Sequence, residues 1–122
     1  MERDTRQRRA IREALISEDR PLSPAELLEA AKERVPEIGQ ATVYRNIRTL
    51  GAEGLLDTVD LPGRPSRYEL SGKEHHHHFV CRGCDSVYDV ADCPGDLRPL
   101  TPSGFRLEGH EVVLYGLCAS CA

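Results

Sequence analysis

Four of the five cysteines form two closely spaced pairs, Cys81-x-x-Cys84 and Cys118-x-x-Cys121. Two intervening residues let one tight turn point both sulfurs at a single ion, and two such turns complete a tetrahedral thiolate site. In a reducing cytosol this spacing favours metal thiolates over disulfides. The pattern predicts structural zinc; two disulfides, an iron–sulfur cluster and a redox-active pair are the alternatives, although the βαβ pattern of a thioredoxin-like pair is absent.

A run of four histidines, His75–His78, leads directly into Phe79-Val80-Cys81. A purification tag is the alternative interpretation, but the run is internal and short. If the run is extended, alternate imidazoles point to opposite faces, so that the first and third serve one site and the second and fourth another. Imidazole binds zinc, iron(II), nickel and manganese, so the histidines alone do not identify the metal. Candidates for further ligands are His110, Asp57, Glu69, Asp89 and Asp96.

The elements that position these donors begin with three predicted helices, over residues 5–18, from 24 to about 36, and over 41–52. Ser23 and Glu26 have the spacing of a capping box, and Pro24 falls at the first helical position. Gly54 is placed to end the third helix. The second helix is expected to bury Leu28, Ala31 and Val35.

The third helix has two chemically different faces. Apolar side chains recur at helical spacing and are expected to face the core: Val43, Ile47 and Leu50. Tyr44, Arg45 and Arg48 fall on the other side, and no acidic residue occurs from 38 to 52. The basic face indicates DNA contact, with a solvated surface as the alternative.

Two strand-like runs, Leu55–Val59 and Ser66–Leu70, flank the turn signal Pro62-Gly63-Arg64. Three helices followed by a hairpin is the order of a winged helix-turn-helix, in which the third helix enters the major groove. A plain structural domain has the same order, because fold does not determine function. We therefore predict an α+β chain, with an N-terminal winged helix-turn-helix domain followed by a small α/β domain that carries the four-cysteine zinc site.

The predicted division is a DNA-binding domain over 1–70, a hinge over 71–74 and a metal-binding and dimerisation domain over 75–122. Strands are expected in the second domain at Phe79–Cys81, Ser86–Val90 and Glu111–Tyr115. The three prolines between 92 and 104 exclude a long helix there.

Charge is distributed unevenly along the 122 residues, whose net charge is −4. Residues 1–12 sum to +3, whereas the chain from residue 73 onward sums to −3. A basic end suits a nucleic acid, and an acidic end suits cations. No apolar run is long enough to span a membrane and no signal peptide is recognisable, so we expect a cytoplasmic protein with no membrane partner.

Four motifs in order give the chain a family resemblance: Gly39-Gln40-Ala41-Thr42-Val43-Tyr44-Arg45, Arg67-Tyr68-Glu69-Leu70, the histidine run with Cys81-x-x-Cys84, and Tyr115-Gly116-x-Cys118-x-x-Cys121. Together they resemble the ferric uptake regulator family over nearly the whole chain. The resemblance implies a homodimeric repressor of metal homeostasis genes. Its winged helices would bind double-stranded operator DNA when a regulatory metal holds the two domains at a fixed angle.

The resemblance also implies a function for individual residues. The DNA-contacting residues would be Arg3, Tyr44 and Arg45, beside Arg48 from the helix pattern. The structural zinc ligands would be Cys81, Cys84, Cys118 and Cys121. The regulatory site at the hinge would use Glu69, His76 and His78. A second site would use His75, His77, Asp96 and His110.

Several positions depart from the family pattern. Pro21 stands where many members have a histidine ligand, and Asp57 is the candidate that would replace it in the regulatory site. Zinc-sensing members often add a cysteine where this chain has Ser71. Glu69 is similar to iron-type members, whereas peroxide sensors tend to have aspartate. Iron(II) or zinc is therefore the expected regulatory metal, ahead of manganese(II) or nickel(II).

Cys93 is outside the paired cysteines, and it is interpreted either as a free surface thiol or as a further ligand near Asp96. Three other functions stay open at this point: a peroxide sensor of the same family, a zinc-binding interaction or metal-storage module, and a zinc hydrolase using Glu74. The hydrolase needs an open coordination position and a cleft, which the sequence pattern does not indicate. We therefore predict that the chain is not an enzyme.

Overall fold

The computed structural model describes residues 5–122 and divides the chain into two compact units, with the boundary between Lys73 and Glu74. Arg3, which the resemblance placed at the DNA, lies outside the described residues. Within the described range, no helix has both the length and the apolar character needed to cross a membrane.

The first unit begins with three helices, α1 (Arg6–Glu18), α2 (Pro24–Lys32) and α3 (Gln40–Ala52). The predicted capping box of α2 is confirmed: the Glu26 amide donates to Ser23 Oγ at 3.1 Å, and the Ser23 amide donates to Glu26 Oε1 at 2.9 Å. The expected continuation of α2 to about residue 36 is wrong. The Arg34 amide turns to the carbonyl of Ala31, and Pro36 disfavours helical backbone at the residue before it.

The core of the first unit is built where the three helices meet. Its fully buried side chains include Ile11, Leu22, Leu27, Val35, Val43 and Leu50. The α3 residues are those predicted from the periodicity. On α2, Leu27 takes the buried position expected for Leu28, which is only half-buried against this core.

A two-stranded antiparallel hairpin follows the helices, formed by β1 (Leu56–Val59) and β2 (Arg67–Leu70). Gly63 turns the chain between them with a φ of +69°, a conformation that costs glycine little. Leu22 and Tyr68 exchange two backbone hydrogen bonds of 2.9 Å, so that the segment before α2 adds a short bridge to the hairpin. Helices and hairpin together form the predicted winged helix.

The wing is also tied to α2 by charge. Glu26 accepts hydrogen bonds from the guanidinium groups of Arg67 and Arg20, the second at 3.4 Å. Partial burial of this carboxyl opposes ionisation, but the Ser23 amide and the two arginines outweigh it and lower the pKa of Glu26. The capping residue of α2 is therefore also the anchor of β2.

The second unit is a three-stranded sheet of β3 (His77–Cys81), β4 (Val87–Val90) and β5 (Val113–Gly116) in the order β4-β3-β5. β3 pairs antiparallel with β4 and parallel with β5. Within residues 74–122, the helical content is one 3-10 turn at Arg98–Leu100, in agreement with the proline-rich sequence there. Val80 and Val87 are its fully buried valines.

Candidate metal centres and nucleic-acid interface

The four paired cysteines lie together at the carboxyl end of β3. Their sulfurs lie within 4.8 Å of one another, and Cys84 Sγ is 3.8 Å from Cys118 Sγ. Four sulfurs placed tetrahedrally around zinc at its usual bond length of about 2.3 Å would be separated by about 3.8 Å. The cluster therefore fits a structural zinc ion.

Electrostatics also favour a cation among these sulfurs. The backbone amides of Cys118 and Cys84 donate to Cys81 Sγ at 3.3 Å and 3.4 Å, and these bonds lower the pKa of Cys81 to about 6. In contrast, hydrogen bonds with Cys118 and the other neighbouring thiols raise the pKa of Cys121 to about 12. Because crowded thiolates repel one another, a metal ion is needed for all four to ionise.

Two tight turns bring the pairs together. After β3, the Asp85 amide donates to the Cys81 carbonyl at 2.9 Å, and Asp85 takes a φ of +62° to close the turn. The second turn carries Cys118 and Cys121. It lies against the first turn at Gly83, where an added Cβ would be 3.0 Å from Cys121 Sγ. The absence of a side chain at position 83 allows the end of the chain to reach the cluster.

A second donor cluster lies on one face of the strand and combines three imidazoles with a thiol. Cys93 Sγ is 3.7 Å from His75 Nε2, 3.4 Å from His77 Nε2 and 3.2 Å from His110 Nε2. The Val112 amide donates to His77 Nδ1 at 3.1 Å and orients this buried ring. Burial and the neighbouring imidazoles of His75 and His110 lower the pKa of His77, which favours the neutral form of the ring.

The fourth donor of this cluster differs from the sequence-based prediction. Asp96 was expected there, but its carboxylate accepts hydrogen bonds from the backbone amide and guanidinium of Arg98, each at 3.0 Å. Cys93, three residues earlier, lies among the imidazoles instead. The residues from Cys93 to Asp96 belong to no strand or helix, so no periodicity in the sequence could indicate which of the two side chains faces the imidazoles.

The other two histidines of the run face a carboxylate on the opposite side. His76 Nε2 and His78 Nε2 lie 3.4 Å and 3.5 Å from Asp89 Oδ1. His76 Nδ1 is 2.7 Å from the Glu74 carbonyl, which fixes its proton on Nδ1 and gives Nε2 the lone pair that can bind a metal. Asp89 pairs with His78 across β3 and β4. The sequence offered Asp89 as one of several carboxylates, and only strand register distinguishes it.

Glu69 and Asp57, expected at the regulatory site, belong to the first unit and face each other across the wing hairpin. Glu69 Oε2 lies 3.2 Å from Lys73 Nζ. Asp57 Oδ1 accepts a hydrogen bond from Ser71 Oγ at 2.9 Å. Both carboxylates are therefore partnered inside the first unit.

The exposed face of α3 is the candidate nucleic-acid interface. Val43, Ile47 and Leu50 are buried. Tyr44 is 44% exposed, and Arg45 and Arg48 are exposed beside it. Arg45 Nη2 contacts Thr42 Oγ1 at 3.3 Å, a weak bond that leaves most of its donors available. The helix presents an aromatic ring and two cations to its surroundings.

Comparison with known proteins agrees with this arrangement. The model of the Ferric uptake regulator family matches residues 2–115. The chain is 35% identical to the transcriptional regulator FurA of Mycobacterium tuberculosis, over 98% of this chain and 83% of that protein. It is also 35% identical to the zinc uptake regulation protein of the same organism, over 98% and 94%. The structure of the Vibrio cholerae ferric uptake regulator is also similar, with a TM-score of 0.71 and 32% identity. The match covers 93% of this chain and 90% of the Vibrio cholerae chain.

The relatives are transcriptional regulators, and the winged helix and the Cys and His donor clusters agree with them, so this chain is a metal-responsive transcriptional regulator and not an enzyme. The chain belongs to the Ferric uptake regulator family.

The close approach at Gly83 leads to a prediction. In Gly83→Val the new side chain collides with Cys121, so we expect the protein to lose its zinc to a chelator such as EDTA. Gly51→Val is the control, because a Cβ at Gly51 meets nothing within 4 Å. Zinc per chain is measured by metal analysis after dialysis. Equal zinc retention in both variants would contradict the four-sulfur site.

Proposed function

We propose that this chain is a cytoplasmic, homodimeric repressor that binds double-stranded operator DNA of metal homeostasis genes when a regulatory metal is bound. The observation that carries the proposal is the presence, in one short chain, of a winged helix with a cationic α3 and of three separate donor clusters. The resemblance to regulators named for iron and for zinc supports it.

We assign the structural zinc to the cysteine cluster of Cys81, Cys84, Cys118 and Cys121. This site would hold the carboxyl-terminal turn against the end of β3. A unit of this size has too little apolar volume to be stable without help, and a metal is a common substitute for a larger core. The two fully buried valines of the sheet illustrate how small that core is.

For the regulatory site we propose His76, His78 and Asp89 of the second unit together with Glu69 of the first. Two imidazoles and two carboxylates suit both iron(II) and zinc, with manganese(II) and nickel(II) as weaker candidates. When bound, the metal would supply a positive charge that joins donors from the two units. Asp57 stays as the alternative to Glu69, since both project from the same hairpin.

The second cluster is proposed as a further metal site inside the second unit, with His75 and His110 as ligands and with His77 beside them, since its Nδ1 accepts from the Val112 amide and its proton is therefore on Nε2. Its histidines come from two separate places in the chain, so a bound ion would tie the start of β3 to the segment before β5. Asp96 is not part of this assignment because its carboxylate is held by Arg98.

For the DNA contact we propose Tyr44, Arg45 and Arg48 of α3, as in other winged helices that place this helix in the major groove. Arg3 remains a candidate for a minor-groove contact from the sequence resemblance. Guanidinium groups can bind guanine edges in a bidentate manner or neutralise phosphates. The absence of acidic side chains on α3 avoids repulsion of the DNA backbone.

For the dimer we propose that the second unit supplies the interface. Several large apolar side chains are exposed there: Leu100, Phe105, Leu114, Tyr115 and Leu117. β5 lies at one end of the sheet order, so one of its edges is available for another chain. Burying these side chains against a second copy would remove them from water.

DNA binding is tested with Arg45→Ala and a duplex that carries the region upstream of the chain's own gene. Loss of one base contact weakens binding by about 1–3 kcal/mol, or roughly 5- to 150-fold. Lys32→Ala is the control, because Lys32 lies on α2, away from the exposed face of α3, and forms an ion pair with Glu29. Sedimentation equilibrium of the free protein is expected to give twice the 13.6 kDa mass of one chain. A monomer, or equal binding by both variants, would contradict the proposal.

Metal dependence is tested by titrating operator binding with buffered iron(II) and zinc in Glu69→Gln and Asp57→Asn. If Glu69 is the ligand, its variant requires at least ten times more metal, because one charged donor is lost, while Asp57→Asn responds like the parent. A larger effect of Asp57→Asn would transfer the ligand role to that residue. Operator binding independent of added metal in every protein, with the cysteine zinc intact, would contradict metal regulation.

A further inference from the structure

Cys93 stands apart from the four clustered cysteines and occurs where the sequence suggested a carboxylate. Its sulfur is directed at three imidazole nitrogens that come from the β3 region and from the segment before β5. Each of the three nitrogens lies within 3.7 Å of the sulfur. Cys93 is exposed, but its sulfur is not isolated, because three ring nitrogens surround it.

We propose that Cys93 is a thiolate ligand of the second metal site, which makes this site a mixed sulfur–nitrogen centre selective for zinc-like ions. The inference rests on the second metal site of the proposed function and adds the ligand that decides its chemistry. His75 and His110 are the imidazoles that bind the ion beside Cys93, and His77 lies against the sulfur with its Nδ1 held by the Val112 amide.

The separations support direct coordination. With a metal–sulfur bond of about 2.3 Å and a metal–nitrogen bond of about 2.05 Å, tetrahedral geometry places sulfur and nitrogen about 3.6 Å apart. The separations of 3.2 Å to 3.7 Å bracket this value. The donor atoms therefore already surround a space of the right size for one ion.

The donor set distinguishes this site from the regulatory one. Within the described residues, the cluster contains no carboxylate, whereas Asp89 accompanies His76 and His78. Thiolate and imidazole favour zinc and cobalt(II), while carboxylate oxygen is better suited to manganese(II) and magnesium. One strand would thus present a sulfur-containing site on one face and an oxygen-containing site on the other.

Coordination involves a defined exchange of bonds. The Cys93 S–H bond breaks and its proton goes to solvent, while a sulfur–metal bond forms. No electron is transferred, so no oxidant or reductant is required. Each ion bound through this thiol therefore releases one proton from sulfur.

The test uses cobalt(II) as a spectroscopic probe in full-length protein whose cysteine cluster keeps its zinc. A cobalt–thiolate bond gives a near-ultraviolet charge-transfer band that imidazole and carboxylate ligands do not give. We expect the parent to develop one such band per chain. Cys93→Ser and His110→Ala are expected to lose it, and Cys93→Asp is expected to bind cobalt without the band.

Two matched controls identify the origin of the band. His78→Ala removes a donor from the other face of β3 and is expected to keep the full band. If the band is unchanged in Cys93→Ser, the cobalt has entered the cysteine cluster instead, and the proposal is overturned. Cobalt bound by the parent with no thiolate band would also overturn it, without affecting metal-dependent DNA binding. Loss of metal dependence in the operator assay, with the band present, would instead refute only the repressor proposal.

Discussion

The second unit depends on the two-residue period of a single strand, β3. Alternation along this strand separates four consecutive histidines into two pairs, so that one pair meets Cys93 and His110 and the other meets Asp89. The same strand ends at Cys81, the first ligand of the cysteine cluster. A slip of one residue in the pairing of β3 would exchange the two histidine faces and move Val80 to the opposite face of the sheet.

Neighbouring strands keep this register. Antiparallel β4 places Asp89 opposite His78, and parallel β5 carries the chain to Cys118, close to Cys81. Few apolar side chains hold the sheet together, so the cysteine cluster is well placed to stabilise it. If zinc fixes the end of β3, it also fixes the histidines that precede it. The structural ion and the regulatory ion would then be linked through one strand, without any contact between them.

Much of this arrangement could be predicted from the sequence, because it follows from local periods and short motifs. The capping box at Ser23 and Glu26, the apolar face of α3 and the cysteine pairs are all encoded within a few residues of one another. The separation of the histidines needed only the assumption that the run is extended.

The remaining features depend on contacts between distant segments. Asp89 becomes a partner of His78 only through the register of β3 and β4. Cys93 and Asp96 lie three residues apart in a segment with no regular period, and only the fold shows which of them meets the imidazoles. The Leu22–Tyr68 bridge was missed because one residue gives no strand pattern.

The central claim is that β3 carries two independent histidine sites on opposite faces. Nitrogen NMR of the imidazole rings, recorded while zinc is added to His76→Ala, tests it most directly. The account predicts that His75, His77 and His110 shift as in the parent, whereas His78 no longer responds at the same zinc concentration. A weakened response of all four remaining histidines together would show that they share one site, and would contradict the account.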